Sequence, residues 1–156
     1  SRVRASAARY GRKIGFSLSL RPVIADTEEA AWKKAHEIED IVRSQREKAG
    51  LPVTDHRPPN DGSRRLLETA SRNRQDTRLW TGVASLTGAA GNSTGLVGTA
   101  EQVADSLLEY YKLGIENFLI RGFEPLEDAR LYGEQLIPLT RELVAKFDSI
   151  TAKHAV

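Results

Sequence analysis

The sequence of 156 residues predicts an α/β fold in which parallel strands are connected by helices. Short apolar stretches with the patterns of strands alternate with longer stretches of helical periodicity. Helix-capping residues follow the strands directly, as where Thr99 follows Leu96–Gly98 and Gln102 stands three residues later. Because such a βα alternation places the carboxyl ends of parallel strands at one edge, a site is expected at those ends.

The first strand and the helix after it follow an opening helical pattern. Residues Ile14–Leu20 alternate apolar and small polar side chains, which predicts a strand. Pro22 cannot donate to a ladder, so regular pairing is expected to fail just before it. Asp26 and Glu29 form a capping-box pattern, which predicts a helix that continues to about residue 48.

The middle of the chain is less regular. Three prolines and two glycines indicate a long loop over residues 50–62, and a helix is predicted over Ser63–Asn73. Leu79–Leu86 is moderately apolar and fits either a strand or a helix. Gly88–Gly95 combines three glycines with three small polar residues. It lacks the Gly-x-Gly-x-x-Gly and Gly-Lys-Ser/Thr patterns of phosphate loops, so it indicates a mobile loop or a plain connection.

The last third of the chain predicts a strand and a long helix. Asn117–Gly122 is almost continuously apolar, which predicts a strand that is covered on both faces. Pro125 opens the final helix, and Pro138 is expected to kink it or to cost it a hydrogen bond. Three parallel strands cannot close a barrel. The sequence therefore predicts a small open sheet or the last three β/α units of a (β/α)8 TIM barrel, as one segment over residues 1–156. The exposed edges of these strands predict that the chain pairs with another copy of itself and forms a homo-oligomer.

Composition narrows the class of protein. No apolar run is long enough for a membrane span, and cysteine is absent, so a cytoplasmic protein fits best. Residues 1–13 carry five basic residues and no acidic one. Because Tyr10 is the single aromatic residue among them, they indicate a solvated helix face rather than a nucleic-acid site. The three histidines are scattered along the chain, and no metal site is expected.

Two arginines lie where the predicted strands end. Arg121 closes an apolar strand, and Arg21 has the corresponding place on the first strand. Charged groups at such positions face the ligand crevice of barrels and open sheets. The alternative for Arg121 is an ion pair with Glu124 or Glu127.

Three segments together resemble a known family. In order along the chain they are Phe16–Trp32, Gly95–Thr99 leading to Leu113-Gly114-Ile115, and Phe118–Phe123 with Leu126–Ala129. They resemble the C-terminal part of the bacterial luciferase-like flavin-dependent monooxygenases, most closely the alkanesulfonate monooxygenase branch. The resemblance extends from about Val3 to Val144.

The resemblance implies a TIM barrel that oxidises a small organosulfur compound, such as a sulfonate or sulfone, with molecular oxygen. The cofactor would be reduced FMN supplied by a separate flavin reductase. The family's insertion before the seventh strand, a mobile lid, corresponds to residues 81–94, with the lid loop at Gly88, Gly91, Asn92, Ser93 and Thr94. Most flavin contacts of the family lie on earlier strands. Catalytic and cofactor-binding residues are therefore unassigned here, and the segment alone is expected to be inactive.

The substrate-binding residues implied by these positions are Ser19, Arg21, Arg121 and Phe123. The sulfonate branch has an Arg and a His where this sequence has Ser19 and Arg21, and a Tyr at the place of Phe123. It has a small residue at the place of Arg121 and a lid Arg at the place of Gly88.

Two other interpretations of the function stay open. One is a flavin- or deazaflavin-dependent oxidoreductase of the same barrel class without oxygenase chemistry. The other is a non-enzymatic interaction module with a basic surface, formed by the arginine-rich residues 57–78.

Overall fold

A computed structural model describes residues 2–53, 58, 60–71, 76–90 and 94–154. Its elements in chain order are α1 (Arg2–Ala8), β1 (Ser17–Ile24), α2 (Glu28–Lys48), α3 (Asp61–Ala70), β2 (Leu79–Trp80), α4 (Gly82–Thr87), β3 (Gly95–Gly98), α5 (Ala100–Lys112), β4 (Asn117–Ile120), α6 (Pro125–Leu131), a π-helical turn (Tyr132–Leu136) and α7 (Ile137–His154). Among the described residues, no helix combines the length and apolar character needed to cross a bilayer.

The four strands form one sheet in the order β2-β3-β1-β4. The second half of β1, residues 21–24, pairs in parallel with β3, and its first half, residues 17–20, pairs in parallel with β4. The two-residue strand β2 runs antiparallel to β3 at the edge. The predicted α/β class, with parallel strands and long helices, is confirmed.

The order of the strands differs from that of a closed barrel, in which consecutive β/α units are neighbours. Here β4 lies beside β1 rather than beside β3. Helices cover both faces of the sheet as a result. One core joins the sheet to α5, α7 and the π-helical turn, and it contains Leu20, Ile24, Leu96, Val103, Leu107, Tyr132 and Leu136. The other joins the sheet to α2 and α4, and it contains Val23, Ala31, Ala35, Trp80, Val83 and Val97.

Pro22 lies inside β1, so the prediction that pairing fails just before it is wrong. Arg21 N donates to Thr94 O at 2.9 Å and Ala25 N donates to Gly98 O at 3.4 Å, so odd-numbered residues of β1 face β3. The nitrogen of Pro22 therefore faces the side of β4, which has already ended at Ile120. The missing N–H removes no ladder bond there, which is the condition under which strands accept proline.

The carbonyl of Pro22 has a partner on the same side. The Tyr132 hydroxyl donates to it at 2.6 Å in a buried setting. Replacing Tyr132 with Phe leaves this carbonyl buried and unpaired, and it is expected to lower the free energy of unfolding by about 1–2 kcal/mol. Urea unfolding followed by circular dichroism measures the change.

Tyr111 offers a matched control for that substitution. Its hydroxyl donates to Asp148 at 3.0 Å in an exposed setting, where water replaces a lost partner. Tyr111→Phe is expected to change stability by less than about 0.5 kcal/mol. Equal losses in the two variants would contradict the role assigned to the Pro22 carbonyl.

Helix boundaries follow the predicted caps with two corrections. Thr27, rather than Asp26, caps α2, because its hydroxyl accepts the Ala30 N–H at 3.1 Å. The capping box of Thr99 and Gln102 at the start of α5 is confirmed. The helix predicted over residues 63–73 begins at Asp61, two residues earlier, because the Asn60 side chain accepts the Ser63 N–H at 2.9 Å. It ends at Ala70, and residues 72–75 lie outside the described ranges.

Two further predictions are resolved along the chain. The ambiguous stretch Leu79–Leu86 contains both structures, first β2 and then α4. The disturbance expected at Pro138 is present, since the π-helical turn ends immediately before α7 and two residues before this proline.

The face of β4 that points away from α5 and α7 is open. Phe118 and Ile120 pack into the core, whereas Leu119 is 57% exposed. The prediction that this strand is covered on both faces is therefore wrong. The reason is that α2 covers the half of the sheet around β3 and the end of β1, and β4 lies at the opposite edge.

Candidate functional site

The candidate site lies where β4 ends beside β1. A cavity of about 390 Å³ opens there, lined by Arg21, Ile120, Arg121, Gly122, Pro125, Ala129 and Tyr132. Arg21 is the fifth of eight residues in β1, so it does not end its own strand as the sequence suggested. It lies opposite the end of β4 instead, because the pairing of β1 with β4 stops at Leu20 and Ile120.

Arg21 is held by the turn that follows β4. Its Nη1 donates to the carbonyl of Gly122 at 2.7 Å, and its guanidinium carbon lies 5.1 Å from the centre of the Phe123 ring. The contact with the ring has the geometry of a cation–π interaction. Arg21 and Phe123, both predicted as substrate-binding residues, are therefore in direct contact.

The turn is shaped by the buried carboxylate of Asp128, which is 3% exposed. Its Oδ2 accepts the backbone N–H groups of Phe123 at 2.8 Å and of Glu124 at 3.0 Å. Its Oδ1 lies 3.2 Å from the Nζ of Lys34, which comes from α2. A single carboxylate thus fixes the backbone that presents Phe123 and the Gly122 carbonyl to Arg21.

Phe123 also contacts the far edge of the sheet. The ring of Trp80, in β2, meets the Phe123 ring edge-on with 5.7 Å between centroids. Trp80 is held in turn by Glu39 of α2, whose Oε1 accepts the indole N–H at 2.5 Å. The rings of Phe123 and Trp80 and the guanidinium of Arg21 therefore form one packed row.

Tyr132 forms part of the cavity wall from the side of the core. Burial raises the pKa of its hydroxyl far above the usual value, and the nearby charge of Asp128 raises this pKa further. The hydroxyl consequently stays protonated and remains a donor to Pro22 O.

The other predicted site residues lie around this centre. Ser19 is two residues before Arg21 on the same face of β1, and its strand partner is the exposed Leu119. Arg121 lines the cavity with an exposed side chain, and within the described residues it forms no ion pair, either with Glu124 or with Glu127.

The predicted lid is only partly described. Residues 82–87 form α4, whose Val83, Ala84 and Leu86 are buried, so this part of the segment 81–94 is a packed helix rather than a loop. Gly88 ends α4 in the left-handed conformation with φ of 66°. Gly91, Asn92 and Ser93 lie outside the described residues, and Thr94 accepts the Arg21 N–H. The mobility of the lid stays a prediction.

The volume and lining of the strand-end cavity indicate a small ligand. The cavity of about 390 Å³ lies in the lower part of the usual range of ligand-pocket volumes, and Arg21 and Arg121 line it. In the described ranges, no group of three or more histidine or acidic side chains is placed to hold a metal ion. The geometry fits a small anionic group with an apolar part.

The fold and the strand-end cavity define an α/β chain of the kind that builds ligand sites at the carboxyl ends of parallel strands. The family model described as luciferase-like monooxygenase matches residues 1–117. The chain therefore belongs to the luciferase-like monooxygenase family.

A solved structure supports the assignment of the fold. The chain is similar to a riboflavin lyase crystallised with modified FMN and its substrate riboflavin, with a TM-score of 0.53 and 23% sequence identity. The match covers 90% of this chain and 34% of the lyase chain, so the chain spans about a third of that protein. The chain is thus a partial segment of a family whose fold is a TIM barrel, which agrees with the predicted α/β fold class.

Proposed function

We propose that this chain is the C-terminal part of a monooxygenase that uses reduced FMN and oxygen to oxidise a small organosulfur compound, such as a sulfonate or sulfone. Two observations carry the proposal: Arg21 and Arg121 line one cavity, and the Phe123 ring lies against the guanidinium of Arg21. Membership of the luciferase-like family supports flavin-dependent chemistry in the whole protein.

The cavity suits an anionic or strongly polar sulfur group. A guanidinium presents several N–H donors in one plane. In Arg21 the Nη1 group donates to the carbonyl of Gly122, and this hydrogen bond fixes the orientation of the guanidinium plane. Arg121 adds a second positive charge at the rim. Oxyanions of sulfur accept paired hydrogen bonds from such groups, as carboxylates and phosphates do.

In this proposal the residues of the chain bind and orient the substrate. Arg21 and Arg121 hold its polar end, and the ring of Phe123 contacts its carbon part. Ser19 lies two residues before Arg21 on the same face of β1. The lid residues Gly88 and Thr94 flank the segment that would exclude water when substrate is bound. Reduced FMN would supply the oxygen chemistry. In this proposal a separate reductase delivers it, the whole protein holds it outside this segment, and the enzyme is cytoplasmic.

Turnover of the full-length protein tests the proposal. With reduced FMN regenerated by a flavin reductase, product formation is measured across sulfonates, sulfones and neutral sulfides. Arg21→Ala and Arg121→Ala are each expected to raise KM for an anionic substrate about 10–100-fold, because each removes a charge-assisted hydrogen bond worth about 1.5–3 kcal/mol. The effect on a neutral sulfide is expected to be much smaller.

Arg141→Ala is the matched control, since Arg141 is an exposed arginine on α7 away from the cavity. Unchanged KM in both cavity variants would disprove the site assignment. If the flavin were reduced or transferred hydride independently of the sulfur substrate, and no oxygen were incorporated, an oxidoreductase without oxygenase chemistry would be favoured. A salt-dependent gel shift without any flavin-dependent turnover would favour the interaction module.

A further inference from the structure

A carboxylate outside the strand-end cavity holds one end of the packed row of Trp80, Phe123 and Arg21. Trp80 is 4% exposed, so its indole N–H needs a partner inside the protein. Glu39, from the middle of α2, supplies that partner, since its Oε1 accepts the N–H at 2.5 Å. A charged acceptor makes a stronger hydrogen bond than a neutral one, and this bond fixes the orientation of the indole ring.

Two glycines leave the space that this hydrogen bond requires. A Cβ at Gly82 would overlap the carboxylate of Glu39 and would lie 2.7 Å from the indole nitrogen of Trp80. A Cβ at Gly95 would lie 2.7 Å from the ring of the same tryptophan. Neither glycine has a positive φ, so the backbone conformation does not require glycine at these positions. The space taken by the Glu39–Trp80 pair does require it.

The packed row connects the orientation of the indole to the guanidinium of Arg21. The rings of Trp80 and Phe123 meet at an angle of 64°, and the guanidinium carbon of Arg21 lies 5.1 Å from the centre of the Phe123 ring. The energies of ring–ring and cation–π contacts both depend on how the rings are oriented. Because protein interiors are close-packed, a rotation of the indole moves the Phe123 ring and changes its contact with Arg21.

We propose that Glu39 and Trp80 are positioning residues of the strand-end cavity. The carboxylate orients the indole, and the indole holds the Phe123 ring against Arg21, so that the guanidinium meets the ligand in one orientation. Neither Glu39 nor Trp80 lines the cavity, so both act through Phe123 rather than by touching the substrate. The inference rests on the proposed function in one respect, namely that Arg21 binds the anionic group of the substrate.

Fluorescence of Trp80 tests the packed row without any ligand. In the full-length protein the emission of Trp80 is the difference between spectra recorded with and without Trp80→Phe. Arg21→Ala is expected to shift the maximum of this emission, because it removes the cation from one side of the Phe123 ring that contacts the indole. Arg121→Ala is the matched control and is expected to leave the emission unchanged, because Arg121 is exposed at the rim of the cavity.

Steady-state kinetics with ethanesulfonate, in the reductase-coupled assay of the full-length protein, test the positioning role. Glu39→Leu removes the acceptor and is expected to raise KM about 3–10-fold, with kcat changed by less than about twofold. Glu39→Gln keeps an acceptor oxygen for the indole N–H and is expected to hold KM within about twofold of the unchanged protein. Glu37→Leu, at an exposed glutamate of the same helix, is the matched control and is expected to leave both constants unchanged.

Two results would overturn the inference. One is a Trp80 emission in Arg21→Ala that equals that of the unchanged protein, which would show that the row transmits nothing. The other is an unchanged KM in Glu39→Leu, whatever its kcat, since a loss of folded enzyme lowers kcat alone. If the unchanged protein oxidised no sulfonate, the proposed function would fail instead, and the emission of Trp80 would still decide whether the indole and Arg21 are connected.

Discussion

Replacing Asp128 with alanine is expected to lower the free energy of unfolding by about 3 kcal/mol. The carboxylate is buried, and three donors depend on it: the N–H groups of Phe123 and Glu124 and the ammonium of Lys34. Its removal leaves the two backbone donors without their partner at the start of α6. Lys34 is partly exposed and regains water, so the cost arises mainly from the backbone groups.

Urea unfolding measures this loss, and Glu127→Ala is its matched control. Glu127 precedes Asp128 on the same helix but is exposed, so its substitution is expected to change stability by less than about 0.5 kcal/mol. Asp128→Ala is also expected to change the fluorescence of Trp80, because the turn that holds Phe123 against the indole is released. Equal stability of the two variants would show that the carboxylate does not hold the turn.

Much of the fold could be predicted because its signals are local. The capping box at Thr99 involves residues three apart, and the alternation in β1 is read from neighbours. The error at Pro22 arose because a proline's cost in a strand depends on what lies beside its nitrogen. For Pro22 the neighbour of the nitrogen depends on where β4 ends. This end is determined by the pairing of Leu20 with Ile120, which lies about one hundred residues later in the chain.

The candidate site could be predicted in part for the same reason. Arg121 and Phe123 directly follow an apolar strand sequence, so their position after β4 was visible in the chain. Arg21 was expected to end β1, but it lies within β1 and beside the end of β4, which depends on the pairing of Leu20 with Ile120. Asp128 and Trp80 were missed because their roles come from contacts with the Phe123 turn. A local signal did exist for Asp128, since an acidic residue early in a helix often accepts N–H groups of the preceding turn. Nothing local singles out Trp80.

The openness of β4 and the order of the strands share one physical cause. A lone set of three parallel strands must bury both faces of its central strand, and β1 is the longest of them. Placing β3 and β4 on opposite sides of β1 allows α2 to cover one face and α5 with α7 the other. The consequence is an edge strand whose Leu119 stays exposed.

Substituting Gly95 with alanine is expected to destabilise the chain by about 2–3 kcal/mol, the range for overpacking a filled core. A Cβ at this position would lie 2.8 Å from the backbone oxygen of Arg21 and 2.7 Å from the ring of Trp80. Gly95 pairs with Arg21 on one side and with Trp80 on the other. The added methyl group must therefore displace a strand or the indole, and neither is the flexible end of a side chain.

Gly133→Ala is the control for that substitution, because a Cβ at Gly133 meets nothing within 4 Å. It is expected to be neutral or to stabilise the chain by up to about 1 kcal/mol, since alanine loses less backbone entropy on folding in a helix. In Gly95→Ala the displacement of Trp80 is also expected to move Phe123 from Arg21, so KM for an anionic substrate rises in the full-length protein. A Gly95→Ala protein as stable as Gly133→Ala would show that β2 and Trp80 do not pack against β3 as described, and would remove the link from β2 to the strand-end cavity.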